Sequence, residues 1–178
     1  LGHLNDNLPS YVVMTDHRGG PRGGAGAWSS GFMPARFQGT LFRSQGAPVL
    51  NLKRPEGIGA GTQRRSLDLL NQLNQQSLDL RGGNSELAAR IASYELAYRM
   101  QTEATEAVDV GSEPRSIQKL YGLDDKRTEY FGRQCLLTRR LLERGVRFVQ
   151  LYSGGGPDSW DAHVDVPDNH GRHSFEID

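Results

Sequence analysis

The sequence has 178 residues, of which 36% are hydrophobic, so it can build one domain around one core. Its 21 basic and 21 acidic side chains balance, which gives no reason to expect nucleic acid or an anionic membrane as a partner and favours a small molecule or a protein. It contains no apolar run of about 18 residues and so predicts no membrane span, and its one cysteine, Cys135, excludes an internal disulfide and a multi-cysteine zinc site.

Both ends of the sequence look cut rather than finished. The chain begins without methionine on LGHLNDNLPS, which leads directly into an apolar run, and it stops at HSFEID inside a predicted helix. We therefore expect residues 1–178 to be an internal fragment of one longer domain.

The first predicted element is a buried strand at residues 11–15. Its sequence, YVVMT, is a short and almost continuous apolar run, which is typical of a parallel strand covered on both faces. Residues 16–61 follow without helical or strand periodicity, and an irregular segment of this length usually has a function. We expect three aromatic side chains to hold it against the body near the strand ends, namely Trp28, Phe32 and Phe37.

Two long helices are predicted next. Leucines at close to helical spacing predict a helix at residues 63–80, which stops before a pair of glycines. Asn84 or Ser85 can cap the second helix. Its predicted packing stripe, at i, i+4, i+7 and i+11, consists of Leu87, Ile91, Tyr94 and Tyr98.

A short helix and a longer one come before the second strand. Pro114 suits the first turn of the short helix, which ends at Gly122. The longer helix covers residues 128–144, and Gly145 stands where a left-handed C-cap is expected. The leucines beside Cys135 predict a buried thiol rather than a catalytic one. One side of this helix presents Phe131, Cys135, Thr138 and Leu142.

The second predicted strand is VRFVQLY, residues 146–152. Apolar side chains on both of its faces predict a mostly buried strand. Two such strands with helices between them predict an α/β fold in which residues 11–15 and 146–152 are parallel strands of one sheet, joined by a right-handed crossover. Ligands of such sheets gather beyond the carboxyl ends of the strands, so the segments after Thr15 and Tyr152 form the predicted functional edge.

Three glycines follow the second strand. Gly154, Gly155 and Gly156 permit a sharp turn or a row of backbone amides that face an anion, and a plain turn is an equally good interpretation. They are the candidate anion-binding backbone of this edge.

Four metal-competent side chains lie within the 13 residues from Asp161 to His173. If the segment is extended, Asp161 and His163 point the same way and converge. His170 and His173 would share one face of a helix capped by Asn169. The grouping predicts a divalent metal site, whereas the alternative is that Asp161 caps a turn and the histidines are solvated.

Several stretches, in order along the chain, carry a resemblance to a known family. They are WSSGFMPARFQGTLFRS (28–44), SELAARIASYELAYRMQ (85–101), KLYGLDD (119–125), CLLTRRLLERGVRFVQLYSGGG (135–156), and WDAH (160–163) with a following NH (169–170). Together they resemble the sulfatase-like bacterial family named domain of unknown function 1501. The resemblance extends over essentially the whole chain.

The resemblance implies a partial alkaline phosphatase/sulfatase-like sheet flanked by helices. Members of that superfamily hydrolyse phosphate or sulfate esters with one or two divalent metals. Family members are commonly exported, many by a twin-arginine signal, so the complete protein is expected in the periplasm or outside the cell. Complete members also have an earlier Gly-Gly-x-Ser-type segment and later Gly-Glu-Phe-Gly-Arg and Gly-Arg-Asp-His segments. We therefore expect the nucleophile outside residues 1–178 and the fragment alone to be inactive.

Carried over residue by residue, the resemblance makes Asp161 and His163 the first candidates for metal ligands, with His170 as a further ligand or a substrate contact. The metal would be zinc, calcium or manganese, and it would act as a Lewis acid on a tetrahedral oxyanion. Arg18 and Arg22 of the glycine-rich loop are candidate anion contacts, although loop arginines are more often solvated.

The sequence therefore predicts part of a metal-dependent hydrolase of sulfate or phosphate esters, with a small anionic ester as substrate and no nucleic acid partner. The alternative is a non-catalytic binding domain of the same fold for an anionic glycan or a protein partner. A structural domain with an incidental polar edge is the third hypothesis.

Overall fold

The computed structural model describes residues 5–34, 37–43, 49, 54, 56–80, 85–154 and 160–178. Its strands are β1 (Tyr11–Met14), β2 (Thr40–Leu41) and β3 (Phe148–Leu151). Its α-helices are α1 (Ala60–Leu80), α2 (Ser85–Ala107), α3 (Arg115–Leu120), α4 (Glu129–Glu143) and α5 (Val166–Ile177). Short 3-10 helices cover Gly24–Trp28 and Val110–Ser112. The fold is mixed α/β, as the sequence predicts.

β1 lies at the centre of a three-stranded parallel sheet with the strand order β2-β1-β3. Tyr11 pairs with Phe148, and Met14 pairs with Leu151. This confirms that the two predicted strands are parallel neighbours whose carboxyl ends meet at one edge of the sheet, which we call the carboxyl edge. The sequence does not predict β2, because two residues are too few for side-chain alternation to be visible.

The core is built around β1. Val12, Val13 and Met14 are fully buried, so side chains on both faces of the strand are covered, as expected of a central parallel strand. Leu8 and Phe42, which flank β1 and β2, are also fully buried and belong to the same cluster. Helices α2 and α4 cover this cluster with Met100, Ala104, Ala107, Leu136, Leu137 and Leu141.

The buried side of α4 differs from the side predicted to pack. Leu142 is exposed, whereas Leu137 and Leu141 are buried. α4 carries leucines on more than one side, and its contact with β3 and α2 selects the side of Leu137 and Leu141. Cys135 is half-buried, and burial raises the pKa of its thiol, which agrees with a packing role.

The end of α4 confirms the predicted cap. Gly145 has φ 91°, a left-handed conformation that glycine adopts without a steric penalty. The backbone N–H of Val146 donates to the carbonyl of Leu141 at 3.1 Å, which closes the last turn and directs the chain into β3.

α1 and α2 pack against each other, and α1 begins at Ala60 rather than at residue 63. In the predicted stripe of α2, Tyr94 is exposed, so that prediction is wrong there, and Leu87 lies outside the described side chains. The reason is that, among the described side chains of α2, those that reach the core lie in its later turns, from Leu96 onward. Within the described residues, no helix combines the length and the apolar character needed to cross a membrane.

The irregular segment between β1 and β2 is held against the body at Trp28. This side chain is buried, and its carbonyl accepts a hydrogen bond from the backbone of Gly39 at 2.9 Å, which confirms the prediction for Trp28. Phe37 is half-buried. Phe32 is fully exposed, so the prediction is wrong for that residue, which lies in a turn closed by a backbone hydrogen bond between residues 30 and 33.

Candidate functional site

A cavity of about 400 Å³ lies at the carboxyl edge of the sheet. It is lined by the residues that follow β1, by the turn before α4 and the start of α4, by Ser153 after β3 and by the last turn of α5. We call it the rim cleft. Its position is the one where ligands bind in open parallel sheets, so the predicted functional edge contains an actual cavity.

Asp16, the first buried polar residue after β1, joins the ends of two strands. One carboxylate oxygen accepts hydrogen bonds from the backbone N–H and Nε of Arg18, at 2.8 and 2.9 Å. The other accepts from Nη2 of Arg18 at 2.9 Å and from the backbone N–H of Gly154 at 2.8 Å. Burial alone would raise the pKa of Asp16, but these donors outweigh it and hold the pKa at about 2. The carboxylate is therefore ionised at neutral pH, and both of its oxygens accept hydrogen bonds.

Arg18 extends this network to α5. Its Nη2 lies 3.0 Å from Oε2 of Glu176, and its Nη1 lies 3.5 Å from Nδ1 of His173. The hydrogen bond to Asp16 raises the pKa of Arg18 above its ordinary value. Arg18 lines the rim cleft while it pairs with two carboxylates, and its role as an anion contact stays a prediction. Arg22 is exposed and is not part of the cleft wall, and its role stays a prediction too.

The turn before α4 and the first turns of α4 supply further cationic side chains to the wall. Arg127 pairs with Asp125 at 2.7 Å, and Arg133 pairs with Glu129 at 3.6 Å. Within the described part of the chain, no carboxylate pairs with Lys126. The cleft wall holds four cationic side chains and three carboxylates, and Asp125 beside it balances the charges. Lys126 is therefore the wall cation that stays available to an anion among the described residues.

An aromatic pair forms another part of the wall. The ring of His17 lies 4.4 Å from the ring of Tyr130, centroid to centroid. The hydroxyl of Tyr130 donates to the carbonyl of Thr15 at 2.6 Å, and Nε2 of Gln134 donates to the same carbonyl at 2.9 Å. These bonds fix α4 and the Tyr130 ring against the end of β1.

Gly154 makes the sharp turn that the glycine triplet permits. Its φ is 76°, and an added Cβ would lie 2.2 Å from Cδ1 of Trp160, so only glycine allows the indole to pack this closely. Its amide N–H faces the carboxylate of Asp16, an anion of the protein itself. Gly155 and Gly156 lie outside the described residues, and their anion-binding role stays a prediction.

The structure brings two of the three predicted metal ligands together. Nε2 of His163 lies 3.6 Å from Oδ2 of Asp161, and the two side chains are 86% and 70% exposed. His170 does not join them: its Nε2 lies 2.9 Å from the carbonyl of Trp160. Among the described residues, no group of three or more His, Cys, Asp or Glu side chains is arranged to hold a metal. A carboxylate and an imidazole fit part of a divalent first shell, and the metal site stays a prediction.

The helix that carries His170 and His173 begins earlier than predicted. α5 starts at Val166 with Pro167 in its first turn, so Asn169 is not its cap. Proline is favoured in a first helical turn, where no intrahelical partner is needed for its nitrogen. The two histidines do share a side of the helix, because the rings of both lie against Trp160, at 5.6 and 5.1 Å.

Sequence reasoning missed the α4 wall of the cleft. Part of its signal was present in the sequence, because Tyr130 and Arg133 are spaced i and i+3 and share a side of the predicted helix, whereas Lys126 lies before its start. What the spacing does not contain is that this end of α4 lies against the end of β1.

Comparison with known proteins gives the family. A search among curated proteins and a search among solved structures each found no match to this chain. The sequence model of the family described as "Protein of unknown function (DUF1501)" matches residues 1–178. The chain therefore belongs to the DUF1501 family.

Proposed function

We propose that this chain is part of a metal-dependent hydrolase of sulfate or phosphate monoesters with an alkaline phosphatase/sulfatase-like fold. The observation that carries the proposal is the rim cleft, a cavity at the carboxyl edge of a parallel sheet with four cationic side chains in its wall. A tetrahedral anion is stabilised by cations that are already in place before it binds. Lys126, which has no carboxylate partner in the described part of the chain, is the residue assigned to pair with it.

The Asp16, Arg18 and Glu176 network serves this function by linking the end of β1 to α5, two parts of the cleft wall. Since Asp16 also accepts a hydrogen bond from the backbone N–H of Gly154, the same network fixes the chain just after β3.

Asp161 and His163 are proposed as two ligands of a divalent metal, with His170 as a third ligand or a substrate contact. A bound zinc, calcium or manganese ion would supply Lewis-acid polarisation of the ester. Both side chains are exposed and adjacent, so they are accessible to an ion and to further ligands.

The second candidate is a binding domain for an anionic glycan or an acidic protein segment, without turnover. It is favoured by the carboxylate of Asp16, which has a pKa of about 2 and accepts hydrogen bonds on both oxygens, so it is a poor general base. The same cationic cleft would serve this function.

Metal titration of the complete protein by calorimetry, combined with an assay of its hydrolysis of 4-nitrophenyl sulfate and 4-nitrophenyl phosphate, tests the proposal. We expect Asp161→Ala and His163→Ala each to weaken zinc or manganese binding at least about tenfold. Asp168→Ala, which removes an exposed carboxylate from the first turn of α5, is the matched control and should leave metal binding unchanged.

Equal metal affinity in the wild type and all three variants would remove the metal role of Asp161 and His163. Metal-dependent release of nitrophenol supports the hydrolase, whereas anion binding without release under all three metals supports the binding domain.

A further inference from the structure

The aromatic pair in the rim cleft is open to a ligand. His17 and Tyr130 both line the cavity, their rings meet at an angle of 52°, and the His17 side chain is 45% exposed. Phe131 and Ile177 add apolar surface to the same wall. The cleft therefore has an aromatic and apolar region beside its cationic one.

This aromatic region is held in place before any ligand binds. The Tyr130 hydroxyl donates to the Thr15 carbonyl at 2.6 Å, directly after β1, and Nδ1 of His17 lies 3.3 Å from the carboxylate of Asp16. Both rings are thus tied to the end of the same strand. A preorganised surface binds a planar or ring-shaped group with little loss of side-chain entropy.

The charge that would orient the ligand lies in the same cavity. Lys126 lines it together with Tyr130, and the volume of about 400 Å³ accommodates one small molecule. A ligand that uses both regions has an anionic group at one end and a ring at the other.

We infer that the rim cleft takes ring-bearing monoesters, with the sulfate or phosphate group at Lys126 and the esterified ring against His17 and Tyr130. The assignment rests on the proposed function for the nature of the anionic group, and on the aromatic pair for the ring. An alkyl ester of the same charge would use the cationic region alone and bind more weakly.

Calorimetric titration with two sulfonates that differ only in the ring tests this inference. Benzenesulfonate and methanesulfonate carry the same charge, and neither is an ester, so neither is hydrolysed. We expect benzenesulfonate to bind about tenfold more tightly than methanesulfonate, because stacking on aromatic side chains favours rings. His17→Ala should reduce this preference about fivefold. Lys126→Ala should weaken both ligands to the same extent.

Tyr94→Ala removes an exposed aromatic ring that is not part of the cleft wall, and it should change neither affinity. Equal affinities for the two sulfonates, a preference that His17→Ala leaves intact, or binding of neither ligand would overturn the inference. The outcome is separable from that of the hydrolase proposal. Sulfonate binding needs no turnover. If the protein prefers benzenesulfonate but hydrolyses no ester, the inference of a ring-bearing ligand holds and the hydrolase proposal fails.

Discussion

Replacing Asp16 by asparagine is expected to lower the free energy of unfolding at neutral pH by roughly 3 kcal/mol. The Asp16 side chain is 4% exposed, and the change removes the more buried of the two carboxylates that neutralise the largely buried Arg18. Urea denaturation of the wild type and the variant measures the difference. Asp125→Asn is the matched control, because Asp125 makes the same contacts with Arg127, two residues later, at an exposed site. There the loss should be small, since solvent screens the pair.

The acid dependence of stability gives the same prediction a second readout. The pKa of Asp16 is about 2 in the folded protein, below the value of about 3.9 for an unfolded aspartate. Its stabilisation is therefore complete above about pH 4 and is lost as the pH falls from about 4 through 2. The loss should amount to about 2 kcal/mol, and it should be absent from Asp16→Asn. Identical acid profiles of the two proteins would contradict the role given to this carboxylate.

Gly132→Ala is expected to destabilise the protein by about 3 kcal/mol or more. An added Cβ at this position in α4 would lie 1.7 Å from the backbone carbonyl oxygen of Tyr121, just after α3. Because a backbone atom cannot rotate away, α4 must shift, and the shift would also move Tyr130 in the cleft wall. Thermal unfolding measures the effect.

Gly171→Ala is the control for this substitution. Gly171 also lies inside a helix, but its added Cβ meets nothing within 4 Å. Alanine is the better helix former, so this variant should gain up to about 1 kcal/mol. If the two variants unfold at the same temperature, the close approach of α3 and α4 is not present in solution.

Strands β1 and β3 could be predicted because local sequence determines them. An apolar run such as YVVMT has one stable environment, the middle of a covered sheet, and residues 146–152 follow a glycine cap that marks the end of a helix. β2 could not be predicted, since its two residues belong to the sheet only through their pairing with Val12 and Val13. The buried side of α4 could not be predicted from its own sequence either, because contact with the rest of the fold selects which of its leucines are buried.

The candidate site also contains some contacts that local sequence predicts and others that depend on the fold. The contact between Asp161 and His163 follows from their spacing of two, which is a local property. The network of Asp16, Arg18 and Glu176 joins residues that are far apart in sequence, and no periodicity encodes it. The helical spacing of Tyr130 and Arg133 was visible, but their position near the end of β1 depends on how α4 lies on the sheet.

The most direct measurement on the rim cleft is the crystallographic location of selenate, an isostere of sulfate, by its anomalous scattering. We expect selenate in the cleft within hydrogen-bond distance of the Lys126 ammonium group, and we expect it to be absent from the same place in crystals of Lys126→Ala. Selenate bound only elsewhere on the protein, or bound in the cleft with equal occupancy in the Lys126→Ala variant, would contradict the assignment of this cavity as the anion site.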